Sequence, residues 1–215
     1  MFWLKSRGFR SSIEDLVDLV YVPAKFPTLW KEYESVEDRS MVNGFKGERA
    51  QENMPFNWWR TIRIPAIQYI GIEDSIEYVK SIIKEQGPFV GVMGFSQGAA
   101  LGAIMCALFS SPNLELKDGL GYNGDGVNNF KFGVFFGGYR TEDKGGIWSH
   151  IFDNPCDVPS LHVYGSSDTT VSPQRSQTLI KCFKNPTVFE HPGAHFIPIT
   201  PAAKDVYRKF VTSCL

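Results

Sequence analysis

The chain has 215 residues, 43% of them apolar and 21% charged, with a formal charge of -1. That length suits one domain spanning residues 1–215, and the near-neutral balance argues against a nucleic-acid partner, which needs a basic face to displace counterions from phosphates. No run approaches eighteen apolar residues, so no membrane span is expected.

The four cysteines, Cys106, Cys156, Cys182 and Cys214, form no C-x-x-C pair. Neither a disulfide framework nor a metal site is expected, and reduced thiols suit a cytoplasmic protein. The stretch Met1 to Arg7 has too short an apolar core for a secretory signal.

Taken in chain order, the first informative segment is Lys25 to Ile67, which lacks regular periodicity but carries Phe26, Trp30, Tyr33, Phe45, Phe56, Trp58 and Trp59. From Ile72 the apolar residues fall at Ile72, Ile76, Val79 and Ile83, one face of a helix that Gly87-Pro88 stops. Phe89 to Gly94 reads as a strand buried on both faces. Gln97 to Ser110 is an apolar helix, and Asn113 to Asn129 is polar and glycine-rich. Phe130 to Phe136 and Ser160 to Tyr164 are the next strands. Ser172-Pro173 opens a helix through about Phe183, with serine as cap and proline in the first turn. Thr187 to Glu190 is a last short strand and Pro201 to Ser213 a closing helix. Strands alternating with helices predict an α/β fold on a mostly parallel sheet.

Gly94-Phe95-Ser96-Gln97-Gly98 fits G-x-S-x-G. The pentapeptide alone is weak, but here a buried strand ends and an apolar helix begins, the setting of a nucleophile elbow. Small residues at 94 and 98 relieve the collisions of so tight a turn. Ser96 Oγ would stand above the carboxyl edge of the sheet. The helix N-terminus offers unpaired N–H groups to a developing oxyanion, with the Gln97 N–H first among them.

A serine hydroxyl needs a base. Of the four histidines, His162 lies inside an apolar strand and reads as structural, and His150 has no special setting. His191 and His195 flank Pro192-Gly193-Ala194 after the last strand. His195, deeper in that loop, is the preferred base, with His191 the alternative. Asp168 follows the strand ending at Tyr164 and is placed to orient the histidine. The competing role for Asp168 is an Asx turn. Asp153 and Asp157 precede that strand, on the wrong side of the sheet.

With these residues in hand, the chain resembles the FSH-type "family of serine hydrolases" of fungi and animals. The likeness rests on Gly87-Pro88-Phe89 leading into Gly94 to Ala99, on Phe135 to Tyr139, on Val158 to Gly165 with Asp168, and on Glu190 to Pro198. Acyl-protein thioesterases share the Gly-Phe-Ser-Gln-Gly stretch but not the His-Pro-Gly-x-His loop. The resemblance implies an α/β-hydrolase fold, Ser96 as nucleophile, Asp168 as orienter, His195 as base, and esterase or thioesterase activity on acyl chains without metal or organic cofactor.

One departure stands out. The family begins with a short strand and a His-Gly turn before a helix resembling Phe2 to Leu16, and neither precedes that helix here. By the family's sheet order the absent strand would lie between a Leu16–Val22 strand and the nucleophile strand, and its loop would give the second oxyanion N–H. The expectation is a shortened chain, ahead of a variant whose sheet closes up differently.

The substrate is expected to be a small-molecule ester or thioester. The aromatics from Phe26 to Trp59 either wall an apolar acyl pocket or pack as core. No Arg or Lys cluster near the motifs signals a phosphate-bearing substrate. A non-catalytic binding protein on the same fold and an acyltransferase are the alternative functions, and the sequence leaves the oligomeric state open.

Overall fold

The computed structural model describes residues 2–27, 56–62, 67–110, 130–142 and 147–215. The chain opens on two single-turn helices, α1 (Phe2–Lys5) and α2 (Arg7–Arg10). Two small antiparallel hairpins follow, β1 (Phe26–Pro27) with β2 (Phe56–Asn57), and β3 (Arg60–Ile62) with β4 (Gln68–Ile70). Then come α3 (Ile72–Gln86), β5 (Gly91–Phe95), α4 (Gln97–Ser110), β6 (Phe132–Phe136), α5 (Ile147–His150), β7 (Ser160–Gly165), α6 (Pro173–Ile180), β8 (Pro186–His191) and α7 (Pro201–Cys214).

Strands β5, β6, β7 and β8 form one parallel sheet in that order. Parallel neighbours require crossovers, and helices on both faces supply them. Period-two alternation divides the side chains. Phe132, Val134 and Phe136 of β6, with Leu161 and Val163 of β7, meet Phe9, Ile13, Tyr207, Phe210 and Val211 on one face. Phe135 points the other way, into the cluster built on α3 and α4. Helix α4 is buried from Ala99 through Phe109, which explains why it is apolar all round rather than on one stripe.

The N-terminal helices are anchored by an aromatic trio. Phe9 lies edge-on to Phe136 and to Tyr207, each at 5.1 Å between ring centroids, and Phe136 and Tyr207 are 5.6 Å apart. The Tyr207 hydroxyl donates to the Pro198 carbonyl. Capping follows the sequence reading: Ser172 Oγ accepts from Arg175 N, and Thr200 Oγ1 from Ala203 N, each ahead of a proline in the first turn.

Three expectations are corrected. The Phe2–Leu16 helix is broken into two turns, where Ser6, Ser11 and Ser12 donate their hydroxyls back to the carbonyls of Trp3, Gly8 and Phe9 and so compete with helix propagation. Leu16–Val22 is not a strand. A strand exists by pairing, and among the described residues β5 pairs only with β6 and stands at the sheet's edge. The helix expected to run through about Phe183 ends at Ile180, because the next residues turn to bond Cys156: the Cys156 N–H donates to the Cys182 carbonyl, and the Lys184 N–H donates to the Cys156 carbonyl. The glycine-rich stretch Asn113–Asn129 and the aromatics Trp30, Tyr33 and Phe45 lie outside the described residues.

His162 is the structural histidine of β7. It is buried between Phe135 and Phe183, hydrogen-bonded with Ser160 Oγ, and burial pushes its pKa down to about 3. The unfolded chain therefore binds a proton at this residue below about pH 6.5 that the folded chain refuses. Stability is full above that value and falls as pH drops toward about 3. Urea midpoints measured between about pH 7 and pH 4 should decline, and His162→Phe should flatten that slope. An identical slope in the variant would remove His162 as its cause.

Candidate active site

β5 passes into α4 through a single residue. Ser96 sits at that turn with φ of 55°, the only non-glycine residue with positive φ among those described. Such a conformation costs of order 1–3 kcal/mol and persists only where its surroundings enforce it. Here the Ser96 N–H donates to the Phe136 carbonyl at 2.8 Å, extending the β5–β6 pairing, while its own carbonyl accepts from Ala99 and Ala100 N–H. Gly94 makes the turn possible, since a Cβ there would lie 2.2 Å from the Gly98 carbonyl oxygen. At Gly98 the close neighbour is different from the one expected: a Cβ would meet Trp58 Nε1 at 3.2 Å, rather than the turn itself. The N–H groups of Gln97 and Gly98 find no acceptor among the described residues.

The Gln97 side chain has a task that the motif alone does not reveal. Its Oε1 accepts from Trp58 N–H at 2.7 Å and its Nε2 donates to the Trp59 carbonyl at 2.9 Å. Ser75 Oγ donates to the Trp58 carbonyl. The aromatic pair is thus clamped to the residue after Ser96. The two rings part company: Trp59 is buried in the core edge-on to Tyr69, and Trp58 is half-buried beside Gly98.

Asp168 and His195 come together from the loops after β7 and β8. Asp168 Oδ1 accepts from the N–H groups of Thr170 and Val171 at 2.8 and 2.9 Å, and Oδ2 faces His195 Nδ1 at 2.6 Å. Both readings of this aspartate hold at once: it closes an Asx-type turn and it holds the histidine. Ser166 N–H donates to the His191 carbonyl, while Ser167 donates its N–H to Gly193 and its hydroxyl to Pro192. The two loops are thereby zipped together.

The His195 side chain is 11% exposed, and its Nε2 has no hydrogen-bond partner among the described residues. Burial lowers its pKa, the Asp168 carboxylate opposes that, and the Lys5 ammonium adds to it. His191 is turned elsewhere, its Nδ1 accepting from Gly193 N–H and its ring against Phe196. His150 is exposed beside Asp153.

Two neighbours of His195 were not anticipated as site residues. Gly137, at φ of 53°, ends β6 against the imidazole, where a Cβ would lie 2.8 Å from His195 Cε1. It sits within the Phe135–Tyr139 stretch, so its motif was visible though its task was not. Lys5, from α1, stands over the Phe95 ring, which in turn contacts the His195 ring. At least ninety positions separate Lys5 from either ring along the chain, and no sequence pattern links them. Among the described residues, no cluster of three or more His, Cys, Asp or Glu could hold a metal ion, and no helix is long and apolar enough to cross a membrane. A surface groove lined by Phe130, Pro159, Asn185 and Phe210 lies at the opposite, amino end of the sheet.

Comparison with solved structures identifies the fold as that of the α/β hydrolases. Arabidopsis thaliana SOBER1 superposes with a TM-score of 0.59 at 12% identity, covering 97% of this chain and 91% of that one. Zea mays acyl-protein thioesterase 2 gives 0.55 at 18% identity over 75% and 73%. The chain belongs to the serine hydrolase (FSH1) family, whose model matches residues 1–207. It is 30% identical to esterase OVCA2 of Danio rerio over 96% of this chain and 88% of that protein. It is 31% identical to an uncharacterized hydrolase of Schizosaccharomyces pombe, of which it spans 47%.

Gly137→Ala should leave the chain folded but misplace the imidazole, since a side chain there is strained by φ and by contact. The expected cost is about 1–3 kcal/mol of stability and on the order of 10–100-fold in ester turnover, measured by thermal melting and by initial rates. Unchanged turnover would show that the ring does not need this space.

Proposed function

We propose that this chain is a serine esterase or thioesterase that acts through Ser96, His195 and Asp168 by way of an acyl-enzyme. The observation that carries the reading is the pairing of a strained serine at a strand–helix turn with an aspartate-held histidine at the same edge of the sheet. Membership of a serine hydrolase family supports it, as do a sequence relative named as an esterase and a structural neighbour named as a thioesterase.

On this reading Asp168 Oδ2 accepts the Nδ1–H of neutral His195, which fixes the tautomer and leaves Nε2 as the proton acceptor. Ser96 Oγ loses its proton to Nε2 as it bonds to the acyl carbonyl carbon, and the carbonyl electrons move onto oxygen. The Gln97 N–H and the α4 N-terminus stabilise that oxyanion. Collapse breaks the bond to the alcohol or thiol, which leaves with the proton from Nε2. Water then repeats the sequence and releases the acid. Trp58, held beside the turn by Gln97, offers an apolar wall to the acyl chain. The scattered cysteines support a reducing, cytoplasmic setting for a domain spanning 1–215.

A fluorophosphonate probe should label the purified chain at Ser96, and Ser96→Ala should abolish both labelling and ester turnover while melting like the parent. Equal turnover in the variant would end the proposal, and a folded, unlabelled parent would favour a binding protein on this fold.

The pH profile is a separate check. The base must be neutral, and a lowered pKa means that protonation demands a lower pH. The acid limb of kcat/KM should therefore fall below the ordinary imidazole value of about 6.5. A midpoint at or above that value would contradict the assignment of His195.

A further inference from the structure

The feature left unexplained is Lys5. Its ammonium lies 4.6 Å from the Phe95 ring centroid, and that ring lies 4.6 Å from the His195 ring, tilted by 42°. Lys5 is therefore one aromatic ring away from the proposed base and belongs to the same surface as the residue preceding Ser96. Among the described residues no carboxylate pairs with it: Asp15, the nearest acid in sequence apart from Glu14, is taken by Arg208 through two contacts of 2.6 Å. A cation on the face of a phenylalanine gains little. Burial lowers the Lys5 pKa, and Lys5 in turn disfavours protonation of His195.

That arrangement sets two cations near one another, of which His195 has Asp168 as its counter-charge. The imidazolium that forms on His195 during acyl transfer is balanced by Asp168, whereas the Lys5 ammonium, which also acts on it, has no carboxylate of its own among the described residues. An anion seated between or beside them would favour both cations. Lys5 is exposed, whereas the oxyanion of the proposed mechanism forms over the α4 N-terminus. Lys5 is therefore placed for a group already charged in the ground state.

We infer that Lys5 is an anion-recognition residue at the rim of the active site, and that it selects esters or thioesters carrying a carboxylate near the scissile bond. The inference rests on the hydrolase reading for its substrate class, but its test does not depend on turnover. The carboxylate could sit on the acyl side or on the leaving group, and the ligands separate the two.

The experiment measures binding to the Ser96→Ala chain by calorimetry. The acyl-side probe is the 4-methylumbelliferyl half ester of suberic acid, beside the matching octanoate. The leaving-group probe is the octanoate ester of 4-hydroxybenzoic acid, beside its methyl ester. In one pair the acid-bearing ligand should bind about 3- to 10-fold tighter than its neutral partner, and the margin should shrink with added salt. Lys5→Met, on the same background, should remove the margin, and Lys5→Arg should keep it.

No margin in either pair, or a margin that survives Lys5→Met, overturns the inference. So does a Lys5→Met variant of the parent chain that slows neutral and acidic esters equally without altering binding, since that pattern places the ammonium on the oxyanion. Failure of the parent to turn over any ester defeats the hydrolase reading instead, and leaves the binding contrast to decide Lys5.

Discussion

The carboxylate of Asp168 is the joint on which the candidate site turns. A carboxylate has two oxygens, and this one uses them for different structures: Oδ1 closes the loop after β7 on Thr170 and Val171, and Oδ2 holds His195. Because Oδ1 is fixed by two backbone donors, Oδ2 is not free to follow the histidine. The histidine is instead fixed by the loop. The hydrogen bonds from Ser166 and Ser167 to the loop after β8 then set the distance between the two strands' ends. Local turn chemistry and the long-range placement of His195 are here one interaction, which is why the Asx reading and the histidine-holding reading of Asp168 do not compete.

Ser96 depends on the sheet in a comparable way. β6 and β7 are buried along their whole length, whereas β5 buries only Gly94 fully. The serine is thus carried by the edge strand of the described sheet, and its positive φ must be enforced from one side. The Phe136 carbonyl does this from β6, and α4, buried all round, does it from below. The N-terminal helices approach the other side. Phe9 pins them to Phe136 and Tyr207, and that anchorage brings Lys5 over Phe95.

The parallel sheet was legible because its strands are short apolar runs ended by Gly and Pro, so β6, β7 and β8 fall within two residues of expectation. The tight turn at Ser96 and the meeting of Asp168 with His195 were legible from the elements and loops they occupy. What could not be read has physical causes. The hairpins of β1 to β4 are two or three residues long, too short to show a period. Trp58 and Trp59 are neighbours with the same ring, yet one is core and the other faces the turn. Composition cannot divide them, and the division comes from backbone bonds to Gln97. Leu16–Val22 has strand-like residues but no partner strand among the described residues, and pairing is a property of the fold rather than of the segment.

Gln97 shows how one residue type can be required twice. Its N–H needs only a backbone at the first position of α4, which any residue would provide. Its side chain needs an acceptor and a donor at one reach, because it meets an N–H at Trp58 and a carbonyl at Trp59. Glutamine supplies both, while glutamate would set an oxygen against the Trp59 carbonyl. Leucine or methionine would leave both backbone groups without a partner in a half-buried site. In the proposed mechanism the aromatic wall and the oxyanion donor are therefore coupled through a single side chain. In the proposed mechanism any shift of the wall by a bulky acyl group is felt at the N–H that stabilises the transition state. Selectivity for the acyl chain would then be expressed in turnover as well as in binding, because substrate fit and oxyanion geometry share one lever.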